Sequence, residues 1–199
     1  TAIKLNPDFA IAHSNLGTVL RDLGKLQEAE FSYRKAIQLD HEFANAHCNL
    51  GSVLIALGKF KEAESYTRKA IKLNPDLDSA LSNLGLILQE FEKLQEAEFF
   101  CRKAIELNPN FANAHSNLGN ILVKLDKLKE AEFSYCNAIK LNPDFAAANY
   151  NLGNVLGALG KFKEAEFSYR KAIQLNPGYA NAYSNLGTIL SLSLIHISE

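Results

Sequence analysis

The side chains most capable of chemistry cluster in one short stretch, ANAHSNLGNIL at residues 112–122. His115 precedes Ser116 there, and a second such pair, His13 and Ser14, lies near the start of the chain. A histidine can activate a serine as a nucleophile, but adjacent residues of a helix point about 100° apart and do not form that pair. Because no matching acid or oxyanion feature accompanies them, we predict no catalytic residue and expect the chain not to be an enzyme.

Three histidines, His13, His47 and His115, occupy equivalent positions of a recurring pattern, which raises the question of a metal site. Zinc requires ligand atoms that converge at about 2.0–2.1 Å. Neighbouring helices lie roughly 8–10 Å apart, and Leu81 takes the equivalent position between His47 and His115. We therefore predict no metal site and no cofactor, and interpret the imidazoles as partly buried spacers.

The cysteines and the overall charge limit the remaining classes of function, cellular location and partner. Cys48, Cys101 and Cys136 are odd in number, lack CxxC spacing and fall at different positions of the pattern. We expect small inert thiols, reducing surroundings and a cytoplasmic location. A formal net charge of -1 provides no basic field, so neither nucleic acid nor an anionic membrane surface is an expected partner. No run approaches the roughly 18 apolar residues of a membrane span.

These residues recur because the chain is built on one repeat. The triplet Asn-Leu-Gly returns every 34 residues in six copies, without insertion or deletion. A fixed period of this length indicates repeated supersecondary units that stack on one another. We number the places of each copy from its first residue, place 1: Ala10, Ala44, Asp78, Ala112, Ala146 and Ala180.

Each copy carries the pattern of two helices. Apolar or small residues at places 3, 7, 8, 10, 11 and 14 have helical spacing with one buried stripe. Alanine at places 20 and 27, followed by apolar residues at places 28 and 30, predicts a second helix. The small residues at places 8 and 20 should let the two helices approach closely. Since a lone pair cannot bury both of its faces, stacked copies must share one elongated core.

Residues between the helices indicate where each helix ends. Place 15 is glycine in three copies, a typical C-terminal stop, whereas Glu92 and Asp126 must make the same turn without glycine. Proline at place 32 disfavours helix at the residue before it and predicts a boundary between copies. The residue after the proline is predicted to cap the following helix. These candidate caps are Asp8, Asp76, Asn110 and Asp144.

Asn-Leu-Gly at places 6–8, Gly-Lys at 15–16, Glu-Ala at 19–20, tyrosine near 24, Lys-Ala-Ile at 26–28 and Asn-Pro at 31–32 together resemble the tetratricopeptide repeat. The resemblance covers residues 1–190 and departs from the family at place 4, where the family often has tryptophan. It implies an all-α fold, a right-handed superhelical solenoid of antiparallel helix pairs whose first helices line a concave groove. The expected division is the end of a truncated repeat at 1–9, five repeats at 10–43, 44–77, 78–111, 112–145 and 146–179, the first helix of a truncated repeat at 180–190, and a non-repeat tail at 191–199.

The tail, SLSLIHISE, lacks the signature of places 15–20. It resembles translated linker or adaptor sequence, which favours the interpretation that these residues are not native to the protein. The alternative is a genuine apolar cap of the repeat array. Solenoids normally end in capping units with a polar outer face, and neither end shows one. We therefore interpret the chain as a fragment of a longer array whose uncapped repeats allow end-to-end self-association.

Asparagine occupies place 6 in every copy, although it is a mediocre helix former in mid-helix. Its carboxamide offers both a donor and an acceptor, which suits the backbone of an extended ligand. The alternative is a structural role in satisfying nearby backbone groups. The predicted peptide-binding residues are Asn15, Asn49, Asn83, Asn117, Asn151 and Asn185 at place 6, with Asn45 and Asn113 at place 2 and Asn120 and Asn154 at place 9.

This asparagine row resembles the ladder in the repeat arm of O-linked N-acetylglucosamine transferases, which holds substrate peptide. The resemblance implies a protein–protein interaction scaffold that binds an extended peptide or protein segment in an asparagine- and serine-lined groove. The alternative function is the substrate-recruiting arm of a larger enzyme of that glycosyltransferase kind. Place 5 carries no lysine, so a clamp for a terminal carboxylate is disfavoured.

Overall fold

A computed structural model of the chain describes residues 9–197, with side chains described for residues 9–192. The described part contains eleven α-helices and no strand. The helices are α1 (Ala10–Asp22), α2 (Leu26–Leu39), α3 (Ala44–Ala56), α4 (Phe60–Leu73), α5 (Asp78–Glu90), α6 (Leu94–Leu107), α7 (Ala112–Lys124), α8 (Leu128–Leu141), α9 (Ala146–Ala158), α10 (Phe162–Leu175) and α11 (Ala180–Ile197).

The helices form the predicted pairs, and the expectation of an all-α repeat solenoid is confirmed. Odd-numbered helices up to α9 have 13 residues and even-numbered helices have 14, so each copy folds as one helical hairpin. The chain divides into two compact units, Thr1–Leu107 with α1–α6 and Asn108–Glu199 with α7–α11. Within each unit, the second helix of one hairpin packs on the first helix of the next.

The last helix is longer than its counterparts. α11 has 18 residues and continues past Leu190, the predicted end of the truncated repeat, to Ile197. No helix in the part of the chain that the structure describes is long and apolar enough to span a bilayer.

Glycine at place 8 lets the helices of each hairpin touch. A Cβ added to Gly17 would lie 2.9 Å from the Tyr33 ring, and one added to Gly119 would lie 2.7 Å from the Tyr135 ring. Alanine at place 20 is fully buried in every described copy: Ala29, Ala63, Ala97, Ala131 and Ala165. The predicted close approach is confirmed, and the side chain that meets the glycine belongs to place 24, whose contact with place 8 the sequence analysis did not predict.

The hydrophobic core of each unit lies between neighbouring hairpins. In the first unit it centres on Tyr33, Leu50, Val53 and Leu54, all without exposed surface. Fully burying a leucine or valine side chain contributes about 1.5–3 kcal/mol. Because apolar residues recur every 34 positions at the places of Leu50, Val53 and Leu54, each hairpin adds its own share of core to the stack.

The predicted side-chain caps are wrong. Helices α5, α7 and α9 begin after Leu77, Phe111 and Phe145, and none of these N-cap residues makes a side-chain cap bond. The residue at place 31 explains why, because its Oδ1 accepts the backbone N–H two residues on and makes the local turn. The predicted caps therefore lie one residue too early, outside the helix. These turns pair Asn74 with Asp76, Asn108 with Asn110 and Asn142 with Asp144, each at 3.2 Å, and Asp8 lies outside the described residues.

Buried histidines brace the same junctions. The Nε2 of His47 donates to the carbonyl oxygen of His41 and that of His115 to the carbonyl oxygen of Pro109, each at 3.0 Å. Both imidazoles are buried, and His13 is half-buried. The spacer interpretation thus gains a specific contact, since the ring at place 4 reaches back to the residue at place 32. The Nδ1 atom of His47 is buried without a hydrogen bond, and burial lowers the pKa of this imidazole.

The turns at place 15 adopt one conformation whatever residue stands there. Gly24, Gly58 and Gly160 have φ of 74°, 73° and 75°, and Glu92 and Asp126 follow with φ of 56° and 58°. The left-handed conformation costs an L-residue roughly 1–2 kcal/mol. The two turns without glycine are therefore formed at the expense of stability.

We expect Glu92→Gly to raise the free energy of unfolding by about 0.5–1 kcal/mol, since relief of the left-handed strain outweighs the extra chain entropy of glycine. Urea unfolding followed by circular dichroism measures the change. The matched control is Gly58→Ala, because nothing lies within 4 Å of the added Cβ and only backbone strain is introduced. That variant should be destabilised, and a destabilised Glu92→Gly protein would contradict the account.

We expect His47→Leu, which copies Leu81 at the same place, to flatten the dependence of stability on pH. The folded-state pKa of His47 lies below the unfolded value of about 6.5, so the unfolded chain binds the proton more readily. Stability is then complete above pH ~6.5 and is lost as pH falls through the folded-state pKa. Urea midpoints between pH 7.5 and 5.5 measure this loss.

The control for this prediction is His41→Gln, which changes an exposed side chain at the junction and keeps the carbonyl that His47 contacts. It should retain the wild-type loss of stability on acidification. Equal slopes for wild type and His47→Leu would show that the buried imidazole does not govern the pH response.

Candidate functional site

The asparagines at place 6 lie on the first helix of every copy. In each unit we call the surface that these side chains line the asparagine face: Asn15, Asn49 and Asn83 in the first unit, and Asn117, Asn151 and Asn185 in the second. Asn15 is exposed and the other five are half-buried. Of the neighbours predicted to join them, Asn45 and Asn113 are exposed, whereas Asn120 and Asn154 are half-buried.

In the second unit the asparagines of successive hairpins are bonded to one another. Tyr135 Oη donates to Oδ1 of Asn120 at 2.7 Å. Asn151, at place 6 of the next copy, donates its Nδ2 to the same oxygen at 3.0 Å. We call this connection of place 24, place 9 and the following place 6 a relay.

A second relay lies one repeat further on. Tyr169 Oη donates to Oδ1 of Asn154 at 2.8 Å, and Asn185 Nδ2 donates to that oxygen at 2.8 Å. Asn185 Nδ2 also lies 3.2 Å from the hydroxyl of Tyr150, at place 5. Burial raises the pKa of both Tyr135 and Tyr169, so their hydroxyls stay protonated and able to donate.

The first unit does not repeat this arrangement. Tyr33 Oη lies 3.0 Å from Oγ1 of Thr18, so its partner is a hydroxyl instead of a carboxamide. Further along, Asn83 Nδ2 lies 3.8 Å from Sγ of Cys48. The difference follows from the sequence, because place 9 is Thr18, Ser52 or Leu86 in these copies and asparagine only in the fourth and fifth.

Sequence reasoning found the asparagines but missed the tyrosines that bond to them. The available signal was a correlation between places 9 and 24. Both copies with asparagine at place 9, Asn120 and Asn154, carry tyrosine at place 24, whereas the copy with Leu86 carries Cys101. The pattern was hidden because places 9 and 24 belong to different helices.

A hollow of about 240 Å³ adjoins the second relay. Its lining includes Asn154, Tyr169 and Asn185, with Thr188 and Ile189 of α11. It places apolar surface next to carboxamides that can accept or donate hydrogen bonds. This combination suits the backbone and a small side chain of a peptide.

The cysteines and histidines do not assemble a reactive centre. Cys48 and Cys101 are buried, and burial raises the pKa of each thiol, to about 12 for Cys101. No group of three or more histidine, cysteine, aspartate or glutamate side chains within the described ranges is placed to hold a metal ion. Buried protonated thiols are poor nucleophiles, which agrees with the interpretation of inert side chains.

The outer surface carries ion pairs between glutamate at place 21 and arginine at place 25, which contribute about 0.2–0.5 kcal/mol each. The pairs are Glu30–Arg34, Glu64–Arg68, Glu98–Arg102 and Glu166–Arg170. In the fourth copy Cys136 replaces the arginine and is exposed. There a cavity of about 410 Å³ opens between α8 and α10, lined by Cys136, Leu152, Leu156 and Phe167 among others.

In the first unit, a contact between arginine and tyrosine lies at the position that corresponds to this cavity. Arg34 lies over the ring of Tyr66, 5.4 Å from its centroid, and its Nη1 donates to the tyrosine hydroxyl at 2.9 Å. Cys136 and Ser168 stand at the corresponding places of the second unit. Their short side chains do not fill the space between the second helices.

Solved structures share this fold. The YrrB protein, described as a TPR protein with an unusual peptide-binding site, is 28% identical, with a TM-score of 0.62 over 92% of this chain and 94% of that one. TTC0263, described as a thermophilic TPR protein in Thermus thermophilus, is 20% identical, with a TM-score of 0.75 over 91% of this chain and 98% of that one. A chain of the APC/C hetero-tetramer Cut9-Hcn1 is 18% identical, with a TM-score of 0.89 over 96% of this chain and 38% of that one.

No curated protein sequence matches the chain. Family profiles, in contrast, match along most of its length. The profiles described as tetratricopeptide repeat match residues 44–77, 79–111, 146–179, 1–31 and 100–133, and the one described as TPR repeat matches 18–58 and 119–160. Together with the helical hairpins and the 34-residue period, these matches show that the chain belongs to the tetratricopeptide repeat family.

Proposed function

We propose that this chain is a non-catalytic interaction scaffold that holds an extended peptide or protein segment along its asparagine face. One observation carries the proposal: half-buried carboxamides recur at place 6 of successive hairpins, where propensity alone does not favour asparagine. In the second unit the amide nitrogens of Asn151 and Asn185 are bonded within the scaffold. Among the described residues no hydrogen bond reaches their Oδ1 atoms, which are therefore available to a ligand.

The family supports the general part of this proposal. The tetratricopeptide fold is that of protein-interaction scaffolds. The 28% identical YrrB structure is described as having a peptide-binding site, which favours a peptide as the ligand here. The near-neutral polar residues of the asparagine face favour contact with main-chain groups over charged ends.

The net free energy of each hydrogen bond sets the affinity to be expected. One net hydrogen bond contributes about 0.5–1.5 kcal/mol. Four or five such bonds, less the cost of ordering a flexible peptide, correspond to a micromolar-class or weaker complex. Affinity would then rise with the length of the bound segment, since each further hairpin adds its own contacts.

We expect replacement of Asn49 and Asn83 in the first unit, or of Asn151 and Asn185 in the second, by alanine to weaken capture of peptides held by that unit about fivefold or more, because roughly 0.5 kcal/mol or more is lost at each position. A displayed library of random 12-residue peptides, selected on the whole chain, supplies the probes. Fluorescence anisotropy with synthetic copies of the selected peptides measures affinity.

The control is Asn110→Ala, an exposed asparagine between helices that is not on the asparagine face. Circular dichroism must first show that the Asn151→Ala/Asn185→Ala variant keeps its helices, since these two asparagines also bond between hairpins. Undiminished capture by both folded double variants would remove the asparagine face from the proposal.

The same asparagine row favours a second candidate, the substrate-recruiting arm of a larger enzyme such as an O-linked N-acetylglucosamine transferase-like glycosyltransferase. The full reading frame distinguishes the two. Glycosyltransferase motifs after the repeat array would favour the arm, and an open reading frame of repeats without them would favour the scaffold. Peptides selected on the chain provide the second criterion, since an arm should capture serine- or threonine-bearing segments that the enzyme modifies.

A further inference from the structure

We infer that the asparagine face of the second unit takes ligands that donate N–H groups, the unblocked main-chain amides of an extended peptide, and that Tyr135 and Tyr169 are the positioning residues that set this preference. The inference rests on the proposed function and specifies which unit binds, through which atoms, and with what chemistry.

The hydrogen bonds of each relay decide whether the place-6 asparagine presents its oxygen or its nitrogen to a ligand. A carboxamide has an acceptor oxygen and a donor nitrogen of nearly equal shape, so its orientation is set by its hydrogen bonds. Asn120 Oδ1 accepts both the Tyr135 hydroxyl and the Nδ2 of Asn151, at 2.7 and 3.0 Å. Asn151 therefore directs its nitrogen into the scaffold and leaves its oxygen for a ligand.

The second relay has the same direction. Asn154 Oδ1 accepts from Tyr169 and from Asn185 Nδ2, both at 2.8 Å. The nitrogen of Asn185 is engaged a second time, by the hydroxyl of Tyr150 at 3.2 Å. Two successive hairpins thus present a carboxamide oxygen from the same place of the repeat.

Packing holds the tyrosines that begin the relays. Tyr135 and Tyr169 are 1% and 3% exposed. Each ring lies against a glycine at place 8, so close that a Cβ on Gly119 or Gly153 would come within 2.7 Å of it. A ring confined in this way keeps its hydroxyl at one point, and the orientation of the asparagines follows from the contact between the helices.

The first unit has the tyrosine without the relay. Tyr33 is equally buried against Gly17, but its hydroxyl meets Oγ1 of Thr18, and either of these two atoms can donate. The Tyr33 hydroxyl thus bonds to no carboxamide, and in the described part of the chain no series of bonds leads from it to a place-6 asparagine of the next hairpin. We therefore assign the preorganised binding surface to the second unit, where less side-chain entropy is lost when a ligand binds.

The chemistry of the ligand follows from the presented atoms. Carboxamide oxygens accept and do not donate, so they select main-chain N–H groups. N-methylated or proline residues at the contacting positions have no such proton and should not bind. The hollow beside Asn154, Tyr169 and Asn185 leaves room for a side chain next to the main-chain contact at Asn185.

The decisive experiment compares matched phenylalanine variants of the whole chain. Tyr135→Phe and Tyr169→Phe keep the ring that packs on glycine and remove only the hydroxyl, and Tyr33→Phe makes the same change where no relay exists. The probes are synthetic copies of peptides selected from the random library. We expect the double variant Tyr135→Phe/Tyr169→Phe to bind about tenfold more weakly and Tyr33→Phe to bind within about twofold of wild type.

Two further readouts separate positioning from stability. Side-chain amide signals of Asn151 and Asn185 in ¹⁵N-correlated NMR spectra should shift in the double variant and stay unchanged in Tyr33→Phe. An N-methyl scan of the peptide should show loss of binding at individual residues for wild type and weaker discrimination for the double variant. Each readout uses the folded chain at one temperature, so a general loss of stability does not produce this pattern.

Failure of the proposed function and failure of the inference give different experimental results. A library that yields no peptide binder overturns the proposed function, and the inference with it. Binders whose affinity responds equally to Tyr33→Phe and to the double variant overturn the inference and leave the proposed function in place. Binders that tolerate N-methylation at every residue do the same, because they do not use main-chain N–H groups.

Discussion

The two helices of each hairpin touch where glycine at place 8 meets the side chain at place 24, and the rest of the structure depends on that contact. A Cβ at Gly153 would come within 2.7 Å of the Tyr169 ring, so any larger residue would displace the ring or the helix that carries it. Interiors are close-packed, so such a shift would spread to the neighbouring hairpin. The same contact places the tyrosine hydroxyl against Asn154, and thereby links scaffold packing to the orientation of the asparagine face.

Much of the fold could be predicted because a period of 34 residues constrains every copy at once. Helix pairs, the close approach at glycine and the turn at Glu92 followed from residue type and spacing, and all three are present in the structure. The cap at Asp76 was predicted wrongly, since Asn74 already makes the turn that governs that junction. Local sequence offers two competing polar side chains there and does not show which one bonds.

The site was harder to predict than the fold because it depends on pairs of residues far apart in sequence. Recurrence identified Asn151 without Tyr135, although the two side chains bond to the same oxygen of Asn120. The outer surface is a second example. Cys136 stands where other copies have arginine, and its effect depends on Ser168, 32 residues later. Together these changes open a cavity of about 410 Å³. In both cases a residue of the neighbouring copy takes part, and a single-copy pattern does not contain that information.

The central claim is that the place-6 asparagines of the second unit serve a bound peptide in addition to joining hairpins. The most direct measurement is a crystal structure of the chain with a selected peptide bound. The account predicts an extended peptide across α9 and α11, with main-chain nitrogens within about 3 Å of Oδ1 of Asn151 and Asn185. A peptide seated in the outer cavity between α8 and α10, or one that meets these asparagines only through its own carbonyl oxygens, would contradict it.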